Sequence, residues 1–530
     1  MLNFEKRPIP NSKVTLAKIN GTTYVYFTLK AYRNSSGKPT SSRKIIGKAV
    51  DNNTMMIPNH NYFDIYKINK PEKEPTISDV TRIGHYLLFD KIITDLDIKY
   101  MLKNIFVENY NDILTIILYM LANNKAMMHL EDYQEEFKVY SKKALSSPRI
   151  SEIFNSINLN SRNSFFKKWI KKTKKDEYIV YDITSVSSYC SNNEYVEYGY
   201  NRDQENLPQI NLGVYFGETT KLPICYTTYA GSINDKTYLQ YMLQGAQELG
   251  INTSKLVLDT GFYSKANLKY MASNDVTFIV CMTEIKKIQS LIRKNQIYDF
   301  RNYINEHKVY GAAFDTDIYV GKPAKIHIFF DGDKKLIQEQ NLYRLINKYE
   351  EELTKLKTLS DIAVKKYGKF FTICLNEDET FTFEKDIEKI NEVRNTLGYF
   401  QLITNDVNLT SSDIIGIYRK KDLIEKHYDN LKHYIDGMRS RTHSTETFEG
   451  KTFLNFQSLI CKSYIENKLE KYFENKSVCI DKIISELGKI KMLKVNNKKR
   501  LVQPLTKTQK EILSYFDISE KDVLTKISSL

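Results

Sequence analysis

Three carboxylates in this chain stand where an ionised side chain is costly unless it has a partner. Asp182 closes the apolar run of "YIVYD", Asp259 closes that of "LVLD", and Glu425 lies among basic residues and tyrosines in "IYRKKDLIEKHYDNLK", residues 417–432. If they share one pocket, the carboxylates repel each other and take up protons unless divalent cations compensate them. Because hard oxygen ligands favour Mg2+ or Mn2+, this trio predicts a two-ion site suited to phosphoryl displacement.

The stretch around Glu425 has the pattern of a helix with two stripes. At about 100° per residue, Tyr418, Lys421, Glu425 and Lys432 fall on one stripe, and aliphatic residues fall on the neighbouring stripe. A solvated i,i+4 charge pair would also account for Lys421 and Glu425, but it would not account for the tyrosine. The pattern predicts a helix whose aliphatic stripe lies on the core and whose Tyr/Lys/Glu stripe follows its rim.

The segments around the two aspartates predict an α/β core. The runs "EYIVYDITSVSSY", "INLGVYF" and "KLPICYTTYAG" are strand-like and separated by short loops, which favours an antiparallel meander. A helix that ends at Gly250, the strand "KLVLD", a second helix and the strand "VTFIVCMT" follow. The order β-β-β-α-β-α-β followed by a helix is that of a ribonuclease-H-like core with a mixed sheet. In it the strands of Asp182 and Asp259 are neighbours.

Changes in pattern along the rest of the chain predict further divisions. A Pro-containing linker follows the first β-rich segment, and an irregular stretch with an amphipathic helix separates the two parts of the core. The predicted divisions are a β-rich N-terminal module (1–75), a helical region that is a candidate for DNA binding (76–177), the first part of the core (178–283), an inserted subdomain (284–397), the second part of the core (398–470) and a helical basic tail (471–530).

Composition and charge narrow the class of partner. The 530 residues include 78 Lys and Arg against 64 Asp and Glu, a net charge of +14, which is consistent with a polyanion such as DNA, although many Lys-rich proteins bind none. The longest apolar run, "ILTIILYMLA", is too short for a bilayer and predicts a buried helix. No signal-peptide core is visible at the start, and the six cysteines form no CxxC pair. We therefore expect a cytoplasmic protein without a membrane span.

Together these residues resemble the DDE triad of bacterial insertion-sequence transposases. The 77 residues from Asp182 to Asp259 and the 166 from Asp259 to Glu425 resemble the subgroup with a β-rich insertion before the glutamate. That subgroup carries Tyr, two residues, Arg, three residues, Glu, six residues, Lys. Tyr418, Glu425 and the lysine at 432 match its spacing, and Lys421 stands where the family has Arg.

The resemblance implies both a reaction and a location. Asp182, Asp259 and Glu425 would hold two Mg2+ or Mn2+ ions while water, and then a DNA 3′-hydroxyl, attacks a phosphodiester. The substrates would be double-stranded DNA with the terminal inverted repeats of the element, and target DNA. A homodimer in a synaptic complex is expected, in the bacterial cytoplasm and associated with the nucleoid.

The same resemblance implies DNA contacts near the glutamate. Tyr418, Lys421 and Lys432 would hold the phosphates beside the cut end, and Arg419 is a further candidate on another face of the helix. A lysine at 421 offers a point charge where arginine offers a bidentate fork. Some relatives cut through a hairpin intermediate, and the sequence leaves that route open.

Three other interpretations of the residues stay open. "LVLDTG" matches the Asp-Thr-Gly of aspartic proteases, although no second such motif is present and a helix is predicted to follow. An inactive, domesticated transposase retained as a DNA-binding protein would share the charge and the fold but would usually lose a metal ligand. A nuclease that cuts without joining would use the same carboxylates.

Overall fold

The computed structural model describes most of the chain. The described ranges are 4–69, 77–123, 125–173, 175–190, 192–200, 206–251, 255–283, 289–292, 295–316, 322–376, 380–421, 439–496 and 499–530.

Strands and helices both occur along these ranges and are numbered in chain order. The strands are β1 (Arg7–Pro8), β2 (Val14–Ile19), β3 (Thr22–Arg33), β4 (Pro39–Val50), β5 (Met55–Pro58), β6 (Ile77–Arg82), β7 (Ile179–Ser188), β8 (Gln209–Gly217), β9 (Pro223–Ala230), β10 (Lys255–Leu258), β11 (Thr277–Cys281), β12 (Tyr303–Ile304), β13 (Val309–Thr316), β14 (Ala324–Phe330), β15 (Phe371–Leu375), β16 (Phe381–Lys385), β17 (Tyr399–Thr404), β18 (Arg439–Ser440), β19 (Lys491–Val495) and β20 (Lys499–Val502). The helices are α1 (His60–Tyr66), α2 (Gly84–Asp95), α3 (Ile98–Ile105), α4 (Tyr110–Ala122), α5 (Leu130–Glu136), α6 (Ser147–Ser156), α7 (Leu159–Thr173), α8 (Asp235–Leu249), α9 (Lys265–Ser273), α10 (Gly332–Lys355), α11 (Asp361–Tyr367), α12 (Ile387–Arg394), α13 (Ser411–Arg419), α14 (Thr445–Lys468), α15 (Glu470–Lys476), α16 (Ile480–Leu487), α17 (Lys507–Ser514) and α18 (Glu520–Ser529).

The chain divides into two compact units, of which the smaller comprises Met1–Asp79 and Lys494–Lys499. Within it, β1 to β5 form one sheet in the order β1-β5-β4-β3-β2. Helix α1 begins at Asn59, whose side chain accepts a hydrogen bond from the Asn61 N–H. Val25, Ile46 and Phe63 belong to its buried core. The β-rich character of this part agrees with the alternating pattern of its sequence.

The larger unit, Val80–Leu493 with Arg500–Leu530, is built on one mixed sheet. The described residues give it ten strands in the order β12-β13-β14-β17-β11-β10-β7-β8-β9, with β18 beside β7. Strands β7, β10 and β11 run parallel to one another. The flanking pairs, β7 with β8, β8 with β9 and β11 with β17, are antiparallel. From β7 to β11 the elements follow as β-β-β-α-β-α-β, with the predicted meander at the start.

The composition of the central strands explains their position. In β10, Leu256, Val257 and Leu258 are fully buried, and β8 is buried along its whole length. Strands covered on both faces need continuous apolar runs instead of alternation. Gly250 ends α8 in the left-handed conformation, with a φ of 83°, as its sequence position predicted.

The predicted inserted subdomain, 284–397, is divided in the structure. Strands β12, β13 and β14 extend the main sheet, because β14 pairs with β17 along residues 325–330. Only the later segment has a core of its own, in which α10, α11 and the β15–β16 hairpin bury Leu342, Ile346, Leu353 and Phe371. The pattern of "KIHIFFDGD" predicts a strand, but it does not indicate the strand with which that segment pairs.

Two buried helices lie in the interior of the larger unit. In α4, residues 112–121 are all buried, so the longest apolar run is a core helix, as predicted. Helix α14 is buried over most of its length. In the described part of the chain no single helix is long and apolar enough to cross a membrane. Tyr110–Ala122 and Met127–Glu136 have sufficient length and apolarity only when taken together, and this pair is bent by 110°.

The tail predicted to be helical and basic, 471–530, also contains strands. Its helices α15 to α18 are joined by β19 and β20, which form a sheet with β6. The lysines of "KIKMLKV" and "KKRLV" lowered the apolar fraction that would have marked these segments as strands. Pairing with neighbouring strands overrides that weak local preference.

Candidate functional site

The structure brings Asp182 and Asp259 side by side. Strand β10 pairs in parallel with β7, and Leu258 lies opposite Tyr181. Asp259 and Asp182 are the next residue of each chain segment, and equivalent positions on parallel neighbours share one face of the sheet. Both carboxylates are half-buried. The predicted proximity of these two residues is therefore present in the fold.

The two aspartates are held by different local structures. Asp182 lies inside β7, which continues to Ser188, whereas Asp259 follows the end of β10 and precedes the 3-10 turn Thr260–Phe262. Phe262 is buried and anchors that turn. Asp182 is thus fixed within the ladder of β7 with β8, where it lies opposite Val214, and Asp259 is fixed by an apolar strand before it and a buried ring after it.

Helix α13 brings two predicted site residues to Asp259. It begins in a capping box in which the Thr410 side chain accepts from the Asp413 N–H and the Asp413 carboxylate accepts from Thr410. The Tyr418 hydroxyl donates to Asp259 Oδ1 at 3.4 Å, and Lys421 Nζ lies 3.3 Å from Asp259 Oδ2. Lys421 is only 6% exposed. Tyr418, near the end of α13, and Lys421, two residues beyond that end, are therefore both directed at one carboxylate.

These contacts set the protonation of the site. Burial raises the pKa of Asp259, but the Lys421 ammonium, the Thr260 backbone N–H and the Tyr418 hydroxyl outweigh it, so this pKa lies below its ordinary value. Burial, together with Cys281 and Asp259, raises the pKa of Tyr418 well above its ordinary value. Asp259 is thus an anion at neutral pH, and Tyr418 is a protonated donor beside it.

Arg419 has a different environment from its neighbours on the helix. Its guanidinium donates to the His307 carbonyl at 2.6 Å and to Asp331 Oδ2 at 3.1 Å. Both partners belong to segments that flank the sheet extension, so Arg419 connects α13 to β13 and β14. Binding of DNA by Arg419, predicted from the sequence, would require it to leave these partners, and that role stays a prediction.

Two predicted site residues, Glu425 and Lys432, lie outside the described residues. The range 422–438, which contains the third carboxylate of the predicted triad, is not described. Among the residues that are described, no three His, Cys, Asp or Glu side chains converge to hold a metal ion. The metal role of Glu425 and the phosphate role of Lys432 stay predictions.

The donor set that is described fits a divalent cation. Asp182 and Asp259 supply carboxylate oxygens on one face of the sheet, and Asp259 already draws the Lys421 ammonium to 3.3 Å. Oxygen ligands of this kind suit Mg2+ or Mn2+. The pair can therefore hold a cation, with Lys421 in competition for one of its oxygens.

Several contacts around the site were not predicted from the sequence. His327, fully buried on β14, shares a hydrogen bond of 2.9 Å with the hydroxyl of Ser411 at the start of α13. Lys420 forms an ion pair with Glu218 beyond the end of β8. A lone histidine in "KIHIFF" could have marked a buried hydrogen bond, but its partner is 84 residues away. These contacts fix α13 on the sheet.

Comparison with known proteins gives a family match and a weak structural likeness. Residues 174–461 match the family described as "Transposase DDE domain". No curated protein matches the chain. A piggyBac transposase, solved by cryo-EM as a synaptic complex with hairpin DNA, is similar with a TM-score of 0.35 and 10% identity, covering 86% of this chain and 87% of that one. A likeness at that level carries no weight for the function of this chain.

Proposed function

The chain belongs to the family with a transposase DDE domain, and from that premise we propose that it cleaves DNA at the ends of an insertion sequence and joins them to a target. The family implies a ribonuclease-H-like core, which agrees with the mixed α/β sheet, and such transposases generally use divalent metal ions. The match spans more than half of the chain and includes both aspartates.

The observation that carries the proposal is the pairing of Asp182 with Asp259. They lie 77 residues apart in sequence, yet occupy equivalent positions on neighbouring parallel strands. Tyr418 of α13, and Lys421 just after that helix, then contact Asp259. A purely structural pair of strand residues would not need a buried ammonium directed at it.

Each residue has a proposed role. Asp182, Asp259 and Glu425 would hold two divalent ions, which when bound supply charge stabilisation for in-line displacement at phosphorus. Tyr418 donates a hydrogen bond that orients the Asp259 carboxylate. Lys421 neutralises that carboxylate in the free protein, and it would turn to a phosphate once cations replace it.

The finer features of the proposal follow the resemblance of the signature. Tyr418, Lys421, Glu425 and Lys432 have the spacing of the bacterial Tyr-Arg-Glu-Lys subgroup, which favours an insertion-sequence origin and cut-and-paste transposition. Joining two ends of an element requires two active sites, so we propose a homodimer in the synaptic complex. Lys432 and the helical region 76–177 are the remaining proposed DNA contacts.

The experiment is metal-dependent cleavage of DNA that carries the ends of the element. Purified protein is incubated with Mg2+ or EDTA, beside Asp182→Ala and the matched control Asp176→Ala, an exposed aspartate paired with Lys255 at the surface. We expect cutting at the ends in wild type and in Asp176→Ala, and none in Asp182→Ala or in EDTA. Tight binding without cutting under any divalent ion would instead identify a DNA-binding relative that has lost its activity.

A second variant tests the residue that the structure does not describe. We expect Glu425→Gln to bind the same DNA nearly as tightly as wild type and to cut none of it, because the amide keeps the shape of the side chain but removes a ligand charge. If binding and thermal stability fall together with cleavage, Glu425 supports the fold instead of holding a metal.

A further inference from the structure

A basic cleft lies in the larger unit, between the helical region and the C-terminal tail. It has a volume of about 760 Å3 and is lined by the start of α2, the end of α4, the segment at Phe137, helix α16 and the start of β19. Its walls therefore come from segments more than 300 residues apart in sequence. Neither the DDE signature nor the carboxylate site includes any of them.

Most of the charge in the cleft is positive. Arg82, Lys125, Lys489 and Lys491 line it, against one acidic side chain, Asp481. Arg82 is paired with Glu136 at 3.4 Å and Lys489 with Glu486 at 2.5 Å. Within the part of the chain that is described, Lys125 and Lys491 form no ion pair.

Burial lowers the pKa of two neighbouring basic groups, and nearby cations add to that effect. Burial lowers the pKa of His85 to about 4, and Arg82 also lowers it. The hydrogen bond of His85 to the Ile484 carbonyl acts in the opposite direction. Burial also lowers the pKa of Lys138, and Arg500 and Lys142 add to that effect. The excess of cations thus extends beyond the lining of the cleft.

The floor of the cleft is held together by hydrogen bonds and ring contacts of His85. His85 bonds to the Tyr133 hydroxyl through Nδ1 and to the Ile484 carbonyl through Nε2, both at 3.0 Å. Its ring stacks on Phe137 with centroids 4.8 Å apart. Gly488 leaves the room that His85 needs, because a Cβ there would lie 2.6 Å from Nε2. A wall fixed in this way costs little further entropy when a ligand binds.

We propose that this cleft binds the phosphate backbone of duplex DNA, as a contact separate from the carboxylate site. The two lysines and a half-exposed arginine supply the charge, and Asn123, Ser485 and Gln503 supply hydrogen-bonding groups of the kind that contact phosphate oxygens. The C-terminal tail then forms part of the DNA-binding surface together with the helical region. The inference rests on the proposed function, since it takes DNA as the substrate.

The test is the salt dependence of DNA binding by the full-length protein. Fluorescence anisotropy with a labelled duplex of about 30 bp, long enough to exceed a single site, compares wild type, Lys125→Gln/Lys491→Gln and the matched control Lys357→Gln/Lys365→Gln. The control removes the same charge from two exposed lysines that have no ion pair among the described residues. Each lost phosphate contact reduces the slope of log K against log salt by about 0.9. From about 50 to 200 mM salt, wild type should therefore lose about 12-fold more affinity than the cleft variant, and the control should follow wild type.

The outcomes separate this inference from the proposed function. A slope that falls in the cleft variant alone supports the cleft, even if cleavage of element ends fails and the proposed function with it. Equal slopes in all three proteins overturn the cleft, even if wild type cuts DNA in Mg2+ and Asp182→Ala does not. Failure of wild type to bind any duplex overturns both. Thermal melts identify a variant that has unfolded. In that case the double variant Lys125→Arg/Lys491→Arg, which keeps both charges, must show the wild-type slope; if it does not, the cleft is rejected.

Discussion

Lys421 and a divalent cation should compete for the same carboxylate, and removal of Lys421 tests this. Its Nζ lies 3.3 Å from Asp259 Oδ2. At that distance, a pair of unit charges interacts by about 1.3 kcal/mol at the dielectric constant of water and about 5 kcal/mol at an effective value of about 20. The Asp259 side chain is 40% exposed whereas Lys421 is buried, so the lower value is the smallest interaction expected. A cation that no longer has to displace Lys421 gains roughly that amount, which is about tenfold in affinity.

The assay is Mn2+ binding to the DNA-free protein, followed by isothermal titration calorimetry or by the EPR signal of free Mn2+. We expect Lys421→Met to bind Mn2+ about tenfold more tightly than wild type, and Lys421→Arg to remain near wild type because it keeps the charge. Cleavage by Lys421→Met should fall in the same preparation, since the proposed phosphate contact is lost. Affinity and activity would thus move in opposite directions.

The neighbouring lysine provides the matched control. Lys420 is on the same helix but pairs with Glu218, so Lys420→Met makes the same change in net charge without touching Asp259. Equal tightening in Lys420→Met would show a general charge effect and refute the competition. Unchanged Mn2+ affinity in Lys421→Met, with binding still abolished in Asp182→Ala, would refute it as well.

Three further predictions concern stability. The pKa of buried His85 is lowered from 6.5 to about 4, so between these pH values the unfolded chain binds a proton that the folded chain does not. The free energy of unfolding therefore falls as the pH drops from 6.5 to 4, by up to about 3 kcal/mol. His85→Gln should flatten that part of the profile of melting temperature against pH. Glu449→Gln leaves the buried guanidinium of Arg162 without its anion and should cost about 3 kcal/mol or more in denaturant unfolding. Gly84→Ala should lower the melting temperature sharply, because its Cβ would lie 1.9 Å from the carbonyl oxygen of Leu487.

Controls for these variants are present in the same chain. Glu152→Gln removes one charged partner of Arg149 at the surface, where both side chains are exposed, and should change stability by less than about 1 kcal/mol. Gly245→Ala places a methyl group inside α8 where nothing lies within 4 Å, and it should be neutral or stabilising by up to about 1 kcal/mol. A loss in either control as large as in its counterpart would contradict the packing argument.

The pairing of Asp182 and Asp259 could be predicted from the order of the elements. Fully buried runs mark the strands, and the order β-β-β-α-β-α-β is that of a ribonuclease-H-like core in which the strands of these two aspartates are neighbours. The approach of this segment to the site could also be predicted, because Tyr418 and Lys421 share one stripe of the predicted helix. The first residue of α13 could not be predicted, because Thr410, Ser411 and Ser412 all offer a hydroxyl. In the structure Thr410 caps the helix and forms a capping box with Asp413.

The features that the sequence could not predict depend on partners far along the chain. Arg419 contacts His307, 112 residues away, and Asp331, 88 residues away. No local pattern indicates which carbonyl a guanidinium will reach. In the same way, the extension of the sheet by β14 depends on pairing with β17, and neither strand specifies its partner through its own sequence.

The small helical segment with its own core has a narrow attachment to the sheet. It begins after Asp331 and ends at Gly398, and the Asp331 N–H donates to the Gly398 carbonyl at 2.9 Å. On either side of this neck, Phe330 and Tyr399 are paired residues of β14 and β17. A two-residue hairpin turn could close the same gap. We therefore expect that residues 332–397 could be exchanged for another segment without changing the register of the strand that leads into α13.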